Sequence, residues 1–144
     1  MSRVVNLNTP GKTRSQHMRT AAEIIRRLGE KSEVDKEAQD MAALLVFCFR
    51  EIEEGIEDSV RAWEKRDYWI KAERFRTRWA WSGRAAGELE RIIRQGTWEQ
   101  LPAVLVRLLP HFEEIKIAKY TRPPSLWDGT YQQLLQEDSI TKDR

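Results

Sequence analysis

Residues 34–94 contain no proline, and this limits the fold more than any other property of the chain. An unbroken helix of that length would be a rod of roughly 90 Å, too long for a chain of 144 residues to cover with one core. The apolar pattern supplies the break. Val34, Ala38, Met41, Leu45, Cys48, Ile52, Gly55, Ser59 and Ala62 recur at alternating steps of four and three, one stripe along a helix. Tyr68, Ala72, Phe75, Trp79, Ser82, Ala86, Leu89 and Ile93 form a second stripe. Extending the first stripe reaches Arg66 and Trp69 rather than Tyr68, so the phase slips by one residue. Two helices folded into an antiparallel hairpin satisfy both stripes. A register that sets Leu45 against Ser82, Cys48 against Trp79, Ile52 against Phe75 and Gly55 against Ala72 puts the turn near Trp63–Glu64.

Written as heptads, the stripes bring Asp58 opposite Lys71 and Glu51 opposite Arg78 along one rim of the hairpin. The other flank carries Phe49, Ile56, Trp63, Trp69, Arg76 and Gly83. It is mostly apolar, so the remaining helices are expected to cover it. A first helix is predicted from Thr13 to Leu28, with Met18, Ala21, Ala22, Ile24, Ile25 and Leu28 inward and Gly29 as a stop. Asp35 is a candidate cap for the second helix, and the third should end at Gln95–Gly96. Thr97-Trp98-Glu99-Gln100 reads as a capping box for a fourth helix with the stripe Leu101, Leu105, Leu108, Phe112 and Ile115, which Pro110 should kink or divide. Arg122-Pro123-Pro124 closes it. Ser125-Leu126-Trp127-Asp128 reads as a second capping box, opening a short helix with Tyr131, Leu134 and Leu135. The fold class predicted is therefore an all-α antiparallel helical bundle of about four helices, built on the long central hairpin, plus a short C-terminal helix. It forms one domain over 13–137, between a basic N-terminal tail (1–12) and a polar C-terminal tail (138–144). Within helix three, Ala80, Gly83 and Gly87 make a groove of small residues. Interior glycines cost about 1 kcal/mol each against alanine, so a close helix crossing is expected there in preference to a ligand pocket.

Composition narrows the function classes. A net charge of +2 gives no global field toward nucleic acid, although the charge is uneven. Residues 1–31 hold seven basic and two acidic groups, 33–58 two basic and nine acidic, and 61–84 eight basic and three acidic. The one cysteine, Cys48, lies in the apolar run 42–49 and reads as a buried small hydrophobe. That run is far short of a membrane span, and the N-terminus has no apolar signal region. A reducing, cytoplasmic setting is the expectation.

Catalytic patterns are missing. Neither His17 nor His111 stands in the Glu-x-x-His spacing of bundle metal sites, one cysteine is too few for a thiolate cluster, and neither a nucleophile elbow nor a phosphate loop occurs. The acidic set Glu51, Glu53, Glu54, Glu57 and Asp58 reads as a solvated helix face. No enzyme activity, cofactor or metal is therefore expected. The leading expectation is a non-catalytic protein-interaction module (adaptor, assembly factor or regulator), whose partner is another protein or a second copy, as a homo-oligomer. Trp79 and Trp81 lie roughly 200° apart on one helix and cannot fill one core. Trp81 thus needs cover from helix one, helix four, the 123–127 segment or a partner. Ile70, Trp81, Arg84 and Trp127 are the candidate partner-binding residues. The alternative is a nucleic-acid-associated protein that grips the phosphate backbone through Arg3, Lys12, Arg14, Arg19, Arg66 and Arg84. It is less favoured, because the aromatics among these bases point inward and Lys71 and Arg78 have acidic partners within reach.

Overall fold

A computed structural model describes residues 9–142, with side chains through Glu137. Five α-helices form an antiparallel bundle: α1 Pro10–Gly29, α2 Lys36–Lys65, α3 Trp69–Gln95, α4 Leu101–Leu108 and α5 Thr130–Lys142. Short 3-10 turns occupy Trp98–Gln100, Leu109–Phe112 and Pro124–Leu126. The hairpin of α2 and α3 is the spine. α1 and α5 pack on α2, and α4 packs on α3. The first half of α2 is enclosed nearly all round, with Ala42 to Val46 buried without a break, as a helix surrounded by three others must be.

Local signals explain most boundaries. Thr9 caps α1 by accepting a hydrogen bond from the Lys12 amide at 3.2 Å, and Pro10 opens the helix three residues ahead of the predicted start. The Asp35 carboxylate accepts from the Ala38 amide at 2.8 Å and caps α2. Gly96, at φ 71°, ends α3 in the left-handed region. Pro110 divides helix four, so that α4 stops at Leu108 and a 3-10 turn follows. Neither capping box forms. The Thr97 hydroxyl is buried without a partner, and α5 begins at Thr130, not after Ser125.

The hairpin turn lies at Arg66–Tyr68, later than the predicted Trp63–Glu64. The cause is local. The Asp67 amide donates to the Glu64 carbonyl and the Tyr68 amide to the Trp63 carbonyl, at 3.0 and 2.9 Å. These are the paired bonds of a Schellman stop, with Asp67 as its left-handed residue at φ 63°. The register follows the turn, so that Phe49 meets Trp81 and Trp63 meets Phe75. A strict seven-residue repeat also drifts around a straight helix by about 20° per heptad. Beyond Ile52 the buried residues are accordingly Ile56 and Val60, while Ala62 is exposed. Tyr68 lies outside the core, 46% exposed.

The expected rim of charge pairs is not built. Asp58 pairs with Arg61 on its own helix, the Lys71 ammonium sits 4.5 Å from the centre of the Trp63 ring, and no ion pair joins Glu51 to Arg78 among the described residues. Bridges across the hairpin form elsewhere: Arg76 reaches Glu57 at 3.3 Å and Glu64 at 3.6 Å near the turn, and Arg50 reaches Glu90 at 2.7 Å toward the far end. Gly83 is not a backbone crossing either, since the side chain of Glu53 occupies the space its Cβ would need.

Candidate protein-interaction surfaces

Two of the predicted contact residues are consumed by the fold. Trp81 is 9% exposed, because the chain after Pro110 folds over it. The His111 ring stacks on Trp81 with centroids 4.1 Å apart and planes within 7°, while Phe49 and Phe112 meet it edge-on at 5.6 and 5.8 Å. Burial, and then Arg84, pull the His111 pKa below its ordinary value, which favours the neutral ring in this stack. Trp127 is also buried, with its indole N–H donating to Glu37 at 3.3 Å and the Arg27 guanidinium 5.1 Å from its ring centre. Neither tryptophan is free for a partner.

The cover over α1 rests on a residue that no sequence pattern singles out. Glu23 is 1% exposed and accepts from the backbone amides of Thr121 and Arg122 at 3.0 and 3.1 Å and from Arg27 at 3.0 Å. Burial alone would raise its pKa. The two amides and Arg27 outweigh that and hold it below the ordinary value. Arg27 in turn lies 4.2 Å from the Tyr120 ring centre. Asp40 does similar service for α5. It is buried on α2 and accepts from the Tyr131 amide at 3.0 Å, while the Thr130 hydroxyl donates to the Asp40 carbonyl.

What the fold leaves outside is concentrated. Large hydrophobic side chains that stay exposed among the described residues are Val34, Tyr68, Trp69, Ile70, Val106, Leu109 and Leu126. Three of them, Val34, Val106 and Leu109, border one groove of about 940 Å³ between the end of α1, the α1–α2 loop and α4. Its floor includes Ile25, Leu28, Leu105 and Ile115. The size and apolar lining are those of a binding cleft. Three carboxylates edge it: Glu30, Glu33 and Glu113. Glu30 accepts from the Tyr120 hydroxyl at 2.8 Å, while Glu33 and Glu113 form no ion pair among the described residues. Both bordering cations are engaged. Lys31 is held by Asp35 and Glu37 at 3.0 and 2.9 Å, and Arg26 donates to the Ile117 carbonyl at 2.7 Å. With Lys31 held by two carboxylates of its own, three groove carboxylates face one remaining cation, Arg26, so the rim carries net negative charge. The sequence held a faint trace of this groove, because Val106 and Leu109 are apolar residues off the buried stripe of helix four.

Three more, Tyr68, Trp69 and Ile70, sit together at the hairpin tip, 46%, 58% and 71% exposed. Lys65, Arg66, Lys71 and Arg74 surround them, none in an ion pair among the described residues. Of the predicted contact residues, Ile70 and Arg84 are thus exposed, but Arg84 lies beside His111, away from the tip. The predicted phosphate-binding set is scattered. Arg3 lies outside the described residues, Lys12 and Arg19 are exposed on α1, Arg66 is at the tip, and Arg14 packs over Phe75 and Trp79 with its guanidinium 5.1 and 5.2 Å from the ring centres.

Among the described residues, no three His, Cys, Asp or Glu side chains are grouped to hold a metal, and no helix is long and apolar enough to cross a membrane. No protein-family model matches the chain, and no curated protein or solved structure shows significant similarity to it.

Proposed function

We propose that the chain is a non-catalytic protein-interaction module of the cytoplasm, whose principal contact face is the acid-rimmed apolar groove between α1 and α4. One observation carries this reading: among the described residues, six of the seven exposed large hydrophobic side chains, all but Leu126, gather at two places instead of scattering. The groove suits an amphipathic helix whose apolar residues recur at i, i+3 or i+4, and i+7, with lysine or arginine beside them. The buried single thiol of Cys48 supports the cytoplasmic setting. Panning a library of helical peptides against the immobilised protein tests it. Enriched peptides should share that pattern and bind Leu109→Asp at least tenfold more weakly. Enrichment of nothing, or of peptides indifferent to this substitution, would remove the reading.

A second reading, attachment to a nucleic-acid backbone, is favoured by one arrangement. Arg14 is partly desolvated over two aromatic rings, and both that burial and the nearby Arg78 push its pKa down. No carboxylate forms an ion pair with either arginine among the described residues, so an anion such as phosphate would relieve their repulsion. Binding to generic RNA that weakens steeply with salt, and that Arg14→Ala with Arg78→Ala abolishes, would support it. Absence of binding at low salt would end it.

A further inference from the structure

The geometry points to a second copy of this chain as an occupant of the groove, with the Trp69–Ile70 tip of one molecule seated between α1 and α4 of the next. The inference rests on the reading of the groove as a protein-contact face and names the partner. Three features carry it. The first is mutual need: the tip presents two large apolar side chains that are more than half exposed, Trp69 at 58% and Ile70 at 71%, and the groove is a concave apolar site with room for both. The second is charge. Lys65, Arg66, Lys71 and Arg74 ring the tip without ion pairs, while Glu33 and Glu113 edge the groove without cations. Lys71 and Arg66 instead rest over the aromatic rings of Trp63 and Tyr68, which keeps them fixed beside the apolar side chains. Opposite patches of this kind steer encounter and fix orientation.

The third feature is distance. Val34 borders the groove just before α2, and the tip lies just after it. The 30 residues of α2 separate the two by about 45 Å, so no molecule can fill its own groove. The contact is heterologous, head to tail. Each addition leaves one free tip and one free groove, and copies therefore build an open chain or close into a ring.

That polarity gives a decisive experiment by sedimentation equilibrium. The wild-type mass should rise above 17.0 kDa as concentration increases. A tip variant, Trp69→Asp with Ile70→Asp, should remain a monomer, as should a groove variant, Val106→Asp with Leu109→Asp. All four positions are exposed, and matching circular dichroism melts confirm that each variant folds. Mixed in equal amounts, the two variants retain one intact tip and one intact groove between them, so they should form a dimer of twice the chain mass and nothing larger. Charge reversal gives an independent arm: Glu33→Lys with Glu113→Lys should weaken association severalfold, and adding Lys65→Glu with Arg74→Glu to the same chain, which leaves no wild-type tip or groove, should restore it. A wild-type chain that stays monomeric at every concentration overturns the proposal, as do variants that still associate or a mixture that stays monomeric. Any of these results would leave the peptide-panning outcome untouched, so a failed self-contact is distinguishable from a failed groove.

Discussion

Glu23 shows how much one side chain can decide in a small bundle. It joins α1 to a segment about a hundred positions later through two backbone amides, with Arg27 of its own helix as a further donor. Glu23→Gln keeps one acceptor but turns an NH₂ toward donors that need an oxygen. The loss should be about 2 kcal/mol, in line with removing a charge-assisted bond at a buried site. The sign of the pH effect follows from the shift. The folded state holds Glu23 below its ordinary value of 4.5, so the stabilisation is complete above that value and is lost as pH falls through the lower folded one. Urea titrations at neutral pH and near pH 3 should therefore show the gap between wild type and Glu23→Gln shrinking in acid. An equal gap at both values would refute the account. Nothing in the sequence marks Glu23, because a glutamate between Ala22 and Ile24 acquires meaning only once Thr121 and Arg122 arrive. Trp81 is a similar case. Its angle to Trp79 predicts that it needs a cover, but the identity of that cover, His111 and Phe112, depends on the path taken after Pro110.

At the scale of the element, the hairpin was legible because two long stripes with a phase slip admit few other solutions. The turn was not, because it carries neither glycine nor proline. Asp67 takes the left-handed conformation that a short polar side chain tolerates, and moving the stop there carried the register and the charge pairs with it. α5 was legible in its apolar residues but not in its start. Its first turn is capped from another helix by the Asp40 carboxylate, which accepts from the Tyr131 amide, and no local pattern records a cap supplied 91 positions away. Asp40→Ala should cost about 1 kcal/mol and speed hydrogen exchange through α5 well before α2 responds. Asp40→Asn keeps an acceptor and should recover most of the protection. If Asp40→Asn and Asp40→Ala behave alike, the carboxylate is not acting as the cap. The groove, by contrast, belongs to no single element. It exists because the end of α1 and the off-stripe side of α4 stop short of each other, and that gap is set by packing against the hairpin.

Whether these helices behave as one unit can be asked of a single atom. Cys48 is buried within a core that α1, α2, α3, α4 and α5 all enter, and it sits on the helix that α1, α3 and α5 cover. Burial pushes its thiol up to about 12, with Arg122 lowering it and Glu51 raising it to a lesser degree. An alkylating reagent needs the thiolate, so the native site is closed to it twice, by cover and by protonation. Labelling must wait for an opening that removes neighbouring helices from α2. If the bundle unfolds in one cooperative step, the opening free energy measured by Cys48 labelling equals the global unfolding free energy and falls with urea at the same slope. If α5 or α1 could leave alone, labelling would be faster than global unfolding allows and its urea dependence shallower. Arg50 argues for the cooperative outcome. Its guanidinium bridges Glu90 on α3 at 2.7 Å and Glu137 on α5 at 2.8 Å, and Arg94 of α3 donates to the Leu134 carbonyl of α5 at 3.0 Å. Departure of α5 therefore breaks contacts with both arms of the hairpin at once. The expected result is a single slope shared by Cys48 labelling and far-ultraviolet circular dichroism, and a shallower labelling slope would divide the bundle into separately opening parts.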